Sequence, residues 1–430
     1  GSEMCIRDRK YILLLLAGSV CGVASSQNVY SLEQCRQLAL SQNIKMTEAG
    51  RKVEMADETK KEAFINYFPS VTAGGGGFIA NKGLIEMELA PGMGASFAKD
   101  GIIGGVAAMQ PVFAGGQIVN GNKLAKLGAD VGRIEKEMAE KEVSLTVENY
   151  YWQVVSVQEE LKTVGQMESM LSSLHRDVGM AVDAGLKTRN DLLQVSLKRN
   201  EVKSSRIKLE NALALSKMVL AQYAGISDSV YSVASEIPEE LPEFPYDLQK
   251  NVADVMQNVE EYQLLQKGVE SAELQKKLEV GKHLPSVAVG AGYFYENIMD
   301  KSHSFVMGMA TVSIPLTDWW KGSHAIKRQN IQITSAKDNL EDGREMLEIR
   351  MMKSWNDFND AFRQMEIAVQ SKEQAAENLR LNRNYYDAGT STMSDLLKAQ
   401  ALYQQSCDGF VDAFTQYQIK RLEYIQNSGQ

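Results

Sequence analysis

Apolar residues recur at two different periods along this chain, and the alternation between the periods is itself repeated. From Gly115 to Val182, and again from Gly322 to Ala388, apolar positions keep helical spacing for more than 60 residues. In the first stretch Tyr150, Val157, Val164, Leu171 and Val178 fall in heptad step, with Val147, Val154 and Leu161 as a companion series. Such a pattern predicts a coiled-coil seam, on a helix about 100 Å long at 1.5 Å per residue. Shorter helical patterns cover Ser31 to Tyr67, with Ser31 as N-cap and Pro69 as breaker, then Asp191 to Tyr223 and Asp395 to Ile425. Val195, Val202 and Leu209 continue the heptad step in the second of these.

The other period is two. Val287, Val289, Ala291, Tyr293 and Tyr295 alternate along residues 286–296, and Val306, Gly308, Ala310, Val312 and Ile314 along 304–316. Residues 70–80 and 101–113 read as weaker strands, being rich in Gly and Ala. Segments of about 10 residues match a tilted membrane-spanning strand; soluble hairpins packed on the helices are the competing reading. Four strands cannot close a barrel, and lipid does not tolerate open edges, so a membrane reading requires several chains to pool strands. Phe68, Phe113, Trp319 and Trp320 stand at the helix-side ends, as an interfacial aromatic girdle or as ordinary packing. The loops 81–100 and 296–302 are polar or Gly-rich and would face outside.

The alternation is a duplication. Pro111 to Gly185 and Pro315 to Gly389 are both 74 residues apart. Phe68-Pro69-Ser70-Val71 returns as Leu284-Pro285-Ser286-Val287, and Tyr30-Ser31-Leu32 as Tyr246-Asp247-Leu248. The second half is 12 residues shorter between its prolines, so the first hairpin carries the longer loop. Each half reads helix, strand, loop, strand, very long helix, tip, helix. The tips are Ala184–Leu193 and Ala388–Leu397. Gly185 and Gly389 suit a left-handed helix end. Thr188 and Thr392, or Asn190 and Ser394, suit the next N-cap, with Asp191 and Asp395 near its positive end.

Residues 27–226 thus form a first repeat, 227–245 a linker with Pro238, Pro242 and Pro245, and 246–430 a second repeat. Residues 1–26 read as a secretory signal: Arg7, Arg9 and Lys10, an apolar run from Tyr11 to Ala17, and Ala24, Ser25 and Ser26 before Gln27. Residues 1–8 suit a natural signal poorly and read as a scar of cloning or of the gene model. Cys21 invites a lipidation reading, which Val20 before it opposes.

Composition narrows the function. The 430 residues carry a formal charge of −9 and no basic stripe, which argues against a nucleic-acid partner. After signal removal only Cys35 and Cys407 remain, and their separation along the helices predicts no disulfide. The four histidines, at positions 175, 283, 303 and 324, show no ligand spacing; His175 lies on the seam. Gly116 to Lys123 brushes against a phosphate loop but lacks Gly-Lys-Ser/Thr. No nucleophile–base set or carboxylate pair stands out, and neither an enzyme nor a cofactor is expected.

The duplicated halves, two strands per half, very long helices and paired Ala-Gly-Leu/Thr-x-x-x-x-Asp tips resemble the TolC family of outer-membrane channel proteins, from Tyr30 to Gln426. The resemblance implies a mainly α fold with membrane β: a coiled-coil helical barrel continuous with a 12-stranded β-barrel, to which each chain of a homotrimer gives four strands. It implies a passive exit duct in the outer-membrane lipid of a Gram-negative bacterium, with a long periplasmic extension. The duct would dock on a periplasmic adaptor and an inner-membrane pump, in multidrug efflux or type I secretion. By likeness, Tyr386 and Asp191 hold inner and outer helix pairs together, and Asp395 forms an acidic ring that raises its own pKa and attracts cations. Ser391 replaces an Arg, and Lys398 a second ring carboxylate, found in some members. Those departures predict a weaker latch and a less cation-selective mouth, with Lys187 or Arg189 supplying positive charge. Gly185, Leu186, Thr188, Leu192, Gly389, Thr390, Thr392 and Leu396 are the expected adaptor-docking tips; plain hairpin packing is the alternative for Leu192 and Leu396. A soluble periplasmic coiled-coil scaffold or adaptor, or a secreted filament protein, are the rival functions.

Overall fold

The computed structural model describes residues 28–82, 85–90, 93–228, 230–235, 237–238, 241–298, 301–316 and 318–430, without the side chains of 85–97 and 318–320. The signal reading of residues 1–26, with Cys21, lies outside the described residues, as do the side chains of Trp319 and Trp320. In the first half β1 (Asn28–Tyr30), α1 (Leu32–Gln42) and α2 (Ile44–Ile65) lead into β2 (Ser70–Ile79), β3 (Ile85–Ala90), β4 (Met93–Phe97) and β5 (Asp100–Ala114), then α3 (Gln117–Asp183) and α4 (Arg189–Ala224). After β6 (Tyr231–Val233) come α5 (Val252–Val255), α6 (Glu260–Lys282), β7 (Ser286–Ile298), β8 (Lys301–Ser313), α7 (Asp318–Asp387) and α8 (Met393–Asn427). The long helices have 67 and 70 residues, as the uninterrupted heptad pattern requires.

The chain forms two compact units. One comprises, of the described residues, those of 28–43, 144–242 and 363–419. Its apolar cluster is the predicted seam: Val164, Leu171 and Val178 of α3 meet Val195 and Val202 of α4, with Tyr386, Met393 and Leu396 from the second repeat. Trp152 packs edge-on against Phe414 at 5.5 Å. Cys35 and Cys407 are buried and free.

This unit also departs from the sequence reading. The helix expected over residues 31–67 breaks at Asn43, whose extended backbone ends α1 while its Nδ2 donates to the Tyr223 carbonyl at 2.9 Å. A side-chain amide competing for backbone partners is what makes Asn a helix breaker. The linker 227–245 is partly ordered, because β6 pairs in parallel with β1. Asp228 accepts from Asn28 Nδ2 at 2.8 Å and Tyr30 Oη at 2.6 Å, and the Tyr151 hydroxyl donates to the Ala234 carbonyl at 2.5 Å.

The other unit comprises residues 44–143, 243–362 and 420–430. Phe244 sits among Trp355, Phe358 and Phe362 at ring separations of 5.0–5.5 Å, and Phe358 stacks on Tyr424. The Tyr424 hydroxyl donates to the Leu248 carbonyl and accepts from the Lys250 amide, both at 3.1 Å. The Phe244 ring contacts join the end of the linker to α7, and the Tyr424 bonds join the segment just after it to α8.

The same unit holds a four-stranded antiparallel sheet, in the order β2-β5-β7-β8. Pro111 lies at a bulge between β5 and β7, where its missing N–H breaks no regular ladder bond. The fourth strand starts three residues before the expected 304, so only residues 299 and 300 separate it from β7. Within the expected loop 81–100, β3 and β4 form their own hairpin. That hairpin occupies the 12-residue excess of the first repeat.

Candidate functional site: a two-faced sheet and a pair of helical tips

Register assigns the sheet residues to two faces. Val71, Val106, Tyr293 and Val306 lie on one face, joined across the strands by the pairs Val71↔Ala108, Val106↔Tyr293 and Tyr293↔Val306. This face is exposed and apolar: Val71 is 68% exposed, Val306 76% and Val312 64%. An apolar face of this extent on a described chain needs a covering phase or partner. The opposite face carries Ser70, Thr72, Glu296, His303 and Thr311 among large residues laid over glycines. A Cβ on Gly105 or Gly292 would come within 2.7 Å of the Phe294 ring, so only glycine accommodates that ring. Among the described residues, β2 and β8 leave unpaired edges. Phe68 and Phe113, at the helix-side ends, are exposed, and Phe68 packs edge-on against Phe64 at 5.6 Å.

Both tips close by the same hydrogen bonds. Gly185 is left-handed at φ 74°, donating to the Val182 carbonyl at 2.9 Å while Leu186 donates to Ala181 at 2.8 Å. Gly389, at φ 73°, donates to Tyr386 at 3.1 Å while Thr390 donates to Tyr385 at 2.9 Å. This is the Schellman arrangement, in which two orphan carbonyls of the helix end are satisfied. Thr188 then caps α4 and Thr392 caps α8, so the alternatives Asn190 and Ser394 are not the caps. Each Thr forms a reciprocal box with the Asp three residues on, the Thr188 amide donating to the Asp191 carboxylate at 3.1 Å and the Thr392 amide to that of Asp395 at 3.2 Å; Thr188 Oγ1 also donates to Asp191 at 2.8 Å and Thr392 Oγ1 to Asp395 at 2.6 Å.

The predicted gate residues fall into two groups. Asp395, Ser391 and Lys398 come together. The Thr392 hydroxyl and amide hold the Asp395 carboxyl below its ordinary range, with smaller help from Ser391 Oγ at 3.4 Å and the charge of Lys398. Within one chain, then, the carboxyl is shifted down, opposite to the rise expected of a ring; only further copies could reverse it. Tyr386 is buried and its hydroxyl has no hydrogen-bond partner, so no bond joins it to Asp191. Lys187 lies over the Tyr386 ring, Nζ 4.0 Å from the centroid, and donates to the Tyr386 carbonyl at 3.5 Å. Burial, with Asp191 and Asp387 nearby, pushes the Tyr386 phenol up.

Of the expected docking residues, Gly185, Leu186, Thr188, Gly389, Thr390 and Thr392 are exposed, Leu186 at 78%. Leu192 is half-buried and Leu396 is buried in the seam cluster. Leu396 is therefore a packing residue: it follows buried Met393 by three residues, which puts both on the inward face of α8. His175 lies on the seam, with Nε2 3.1 Å from Ser196 Oγ. The sequence reading missed an acidic group joining α3 to α8. Ser156 Oγ sits 3.2 Å from Glu160 and 3.1 Å from Asp412, and burial beside those two carboxylates pushes Asp408 up to about 6. Its signal, Asp408 and Asp412 at i and i+4, was in the sequence.

Residues 254–429 match the model of a protein family described as outer membrane efflux protein. No curated protein matches the sequence. Solved structures similar to this chain include the outer membrane protein VceC of Vibrio cholerae, 14% identical, covering 93% of this chain and 96% of that one at TM-score 0.75. The CmeC outer membrane channel of Campylobacter jejuni is 14% identical, with 93% and 85% covered and TM-score 0.77. The MtrE outer membrane channel of Neisseria gonorrhoeae, in its open state, is 13% identical, with 93% and 88% covered and TM-score 0.73. At such identities the likeness is one of fold. Residues 254–429 thus match the outer membrane efflux protein family, and nearly the whole chain shares its fold with the outer membrane proteins VceC, CmeC and MtrE.

Proposed function

We propose that this protein is the outer-membrane exit duct of a tripartite efflux or type I secretion system, a homotrimer that docks on a periplasmic adaptor and an inner-membrane pump. The observation that carries the reading is the sheet β2-β5-β7-β8, with one exposed apolar face and two open edges, in a chain whose second half matches an efflux family. Strands of 10–15 residues are long enough to cross the hydrocarbon core when tilted. Open edges in lipid would leave a row of unsatisfied amides and carbonyls, and pooling strands between copies removes them. Three copies give 12 strands. Among the described residues no helix is long and apolar enough to cross a membrane, so the sheet is the element proposed to do so. A soluble scaffold would leave the apolar face without a function.

In this reading the tips form the periplasmic gate. Asp395, flanked by Ser391 and Lys398, is the carboxylate at the constriction. Lys187, seated on Tyr386 beside Asp191, supplies the cation that ties the two repeats together there. Exposed Leu186, Thr188, Thr390 and Thr392, around the two glycine turns, offer the adaptor a closely approachable surface.

Two measurements test this. The oligomeric mass of the detergent-extracted membrane fraction, with a heat-shift gel, should give a trimer; a protein released without detergent as a monomer or dimer refutes the duct. Single-channel recordings should show Asp395→Ala with altered conductance and weaker cation preference. Unchanged traces would remove Asp395 from the gate while leaving the duct standing.

A further inference from the structure

Four helices meet the sheet at one end, all within one compact unit. Ser286 pairs with Ala114 on one side and Ser313 on the other, and Ser70 pairs with Met109, so α2, α3, α6 and α7 adjoin the same end of the sheet. Asn122 Nδ2 donates to the Ala63 carbonyl at 2.8 Å, joining the start of α3 to the end of α2. A Cβ on Gly115 would strike the Gly281 carbonyl, and one on Gly322 would lie 2.9 Å from the His283 ring, so the starts of α3 and α7 both press on the end of α6. Around this junction the charge is one-sided. Residues 117–129 of α3 hold Lys123 and Lys126 and no acid; residues 321–337 of α7 hold Lys321, Lys327, Arg328 and Lys337 and no acid. Lys277 adds a cation near the end of α6, where Glu279 is already bound to Lys282 at 2.7 Å. The end of α2 is balanced, with Glu58, Lys60, Lys61 and Glu62. Lys123, Lys126, Lys277, Lys321, Lys327 and Arg328 are exposed, and none forms an ion pair with a described carboxylate. Further along the same helices the signs interleave and pair. Arg133 of α3 bonds Asp130 and Asp57, and in α7 Arg344 bonds Glu341 and Lys353 bonds Asp357. The basic surplus is therefore local, in a chain whose formal charge is −9.

We propose that this basic collar binds the headgroups of anionic phospholipids, of the phosphatidylglycerol class, in the leaflet on the helix side of the sheet. The proposal rests on the membrane reading of the sheet given above. Three bands follow one another along this unit: the apolar sheet face, exposed Phe68 and Phe113 at its end, then the cations. That is the order of hydrocarbon, interface and headgroup across half a bilayer. Lys321 lies three residues into α7 and Arg328 ten, Lys123 and Lys126 lie six and nine into α3, and Lys277 lies five from the end of α6. At 1.5 Å per residue the cations stand about 5–15 Å from the sheet-side helix ends. Long basic side chains reach back toward the interface, and the field of an anionic surface extends about 8 Å at physiological ionic strength. Whatever covers the apolar face reaches the cations next to it, so a lipid phase there presents its headgroups to them. A zwitterionic headgroup offers no net charge to answer unpaired cations, whereas an anionic one does.

The test uses the full-length protein in phosphatidylcholine vesicles doped with spin-labelled phosphatidylglycerol or spin-labelled phosphatidylcholine. Electron paramagnetic resonance reads the fraction of each label held at the protein surface, and the heat-modifiable oligomer, followed in every sample, reports assembly. The expected result is a preference for phosphatidylglycerol of at least about twofold in dilute salt, fading toward parity at about 1 M, where the Debye length is only ~3 Å. Replacing Lys123, Lys126, Lys321, Lys327 and Arg328 together by Gln should remove most of that preference. Lys203→Gln with Lys208→Gln, at exposed lysines of α4 in the other unit, should keep it. Assembled wild-type protein that holds both labels equally in dilute salt overturns the collar and leaves the duct standing, and needs no variant to observe. A preference that persists at about 1 M salt also overturns it, because exposed charges are screened there. So does full preference in the assembled collar variant. A protein that enters no bilayer overturns the duct and the collar together.

Discussion

At the scale of single residues, the tips depend on a few side-chain oxygens. Each cap threonine both accepts from a backbone amide and donates to an aspartate, so its removal frees two partners at a helix end. Thr188→Ala and Thr392→Ala should each cost about 0.5–2 kcal/mol, read as a lower urea midpoint at unchanged slope. Asp408 makes a separate prediction. Its folded pKa, about 6, lies above the ordinary value because burial and the carboxylates of Glu160 and Asp412 disfavour its charge. A carboxyl raised on folding binds more protons in the native state. Its contribution is therefore full below about pH 4 and lost as pH rises through 6. Two pK units correspond to about 2–3 kcal/mol. The thermal midpoint should fall between pH 4.5 and 7.5 for this reason, and Asp408→Asn should flatten that fall while raising stability at pH 7.5. An identical pH slope in the variant would mean that Asp408 does not titrate in this range.

Among elements, the long helices and both tips were legible, because Val164, Leu171 and Val178 declare a heptad and Gly185 and Gly389 declare its end. What escaped was set by partners far away in sequence. Asn43 breaks a helix by bonding Tyr223, and the three-residue strands β1 and β6 exist only through each other. Tyr386 was legible as a tip residue by resemblance, but a cavity beside it was not, since Leu174, Leu379 and Gln400 meet there only after folding. The helix–strand junctions show the same dependence. Gly115 is left-handed at φ 59°, and a Cβ on it would lie 2.2 Å from the Gly281 carbonyl oxygen. Two backbones touch where β5 turns into α3 and α6 ends. Gly115→Ala meets both a conformational penalty of about 1–3 kcal/mol and a backbone clash. It should deplete the assembled, heat-modifiable species in membranes, whereas Gly121→Ala, with open space around its Cβ, should not.

For the molecule as a whole, the decisive question is what covers the apolar face of the sheet, and its two faces answer differently. Val306 and Thr311 lie on the same strand, β8, but an odd number of residues apart, so their side chains leave opposite faces. Both are exposed in the single chain. If the sheet is a soluble hairpin pair, arginine at either site meets water and changes little. If the apolar face meets lipid, Val306→Arg carries a charge into hydrocarbon and costs about 2–4 kcal/mol near the midplane. Thr311→Arg faces the enclosed side, where water is compatible with charge, and should assemble normally. The expected outcome is loss of the heat-modifiable oligomer for Val306→Arg and its retention for Thr311→Arg, in the same membrane fraction. The reverse pattern would put lipid on the glycine-rich face, and indifference at both sites would take the sheet out of the membrane. The contrast uses the single property that a period of two gives a strand, so it separates the duct from a soluble scaffold without reference to substrate or pump.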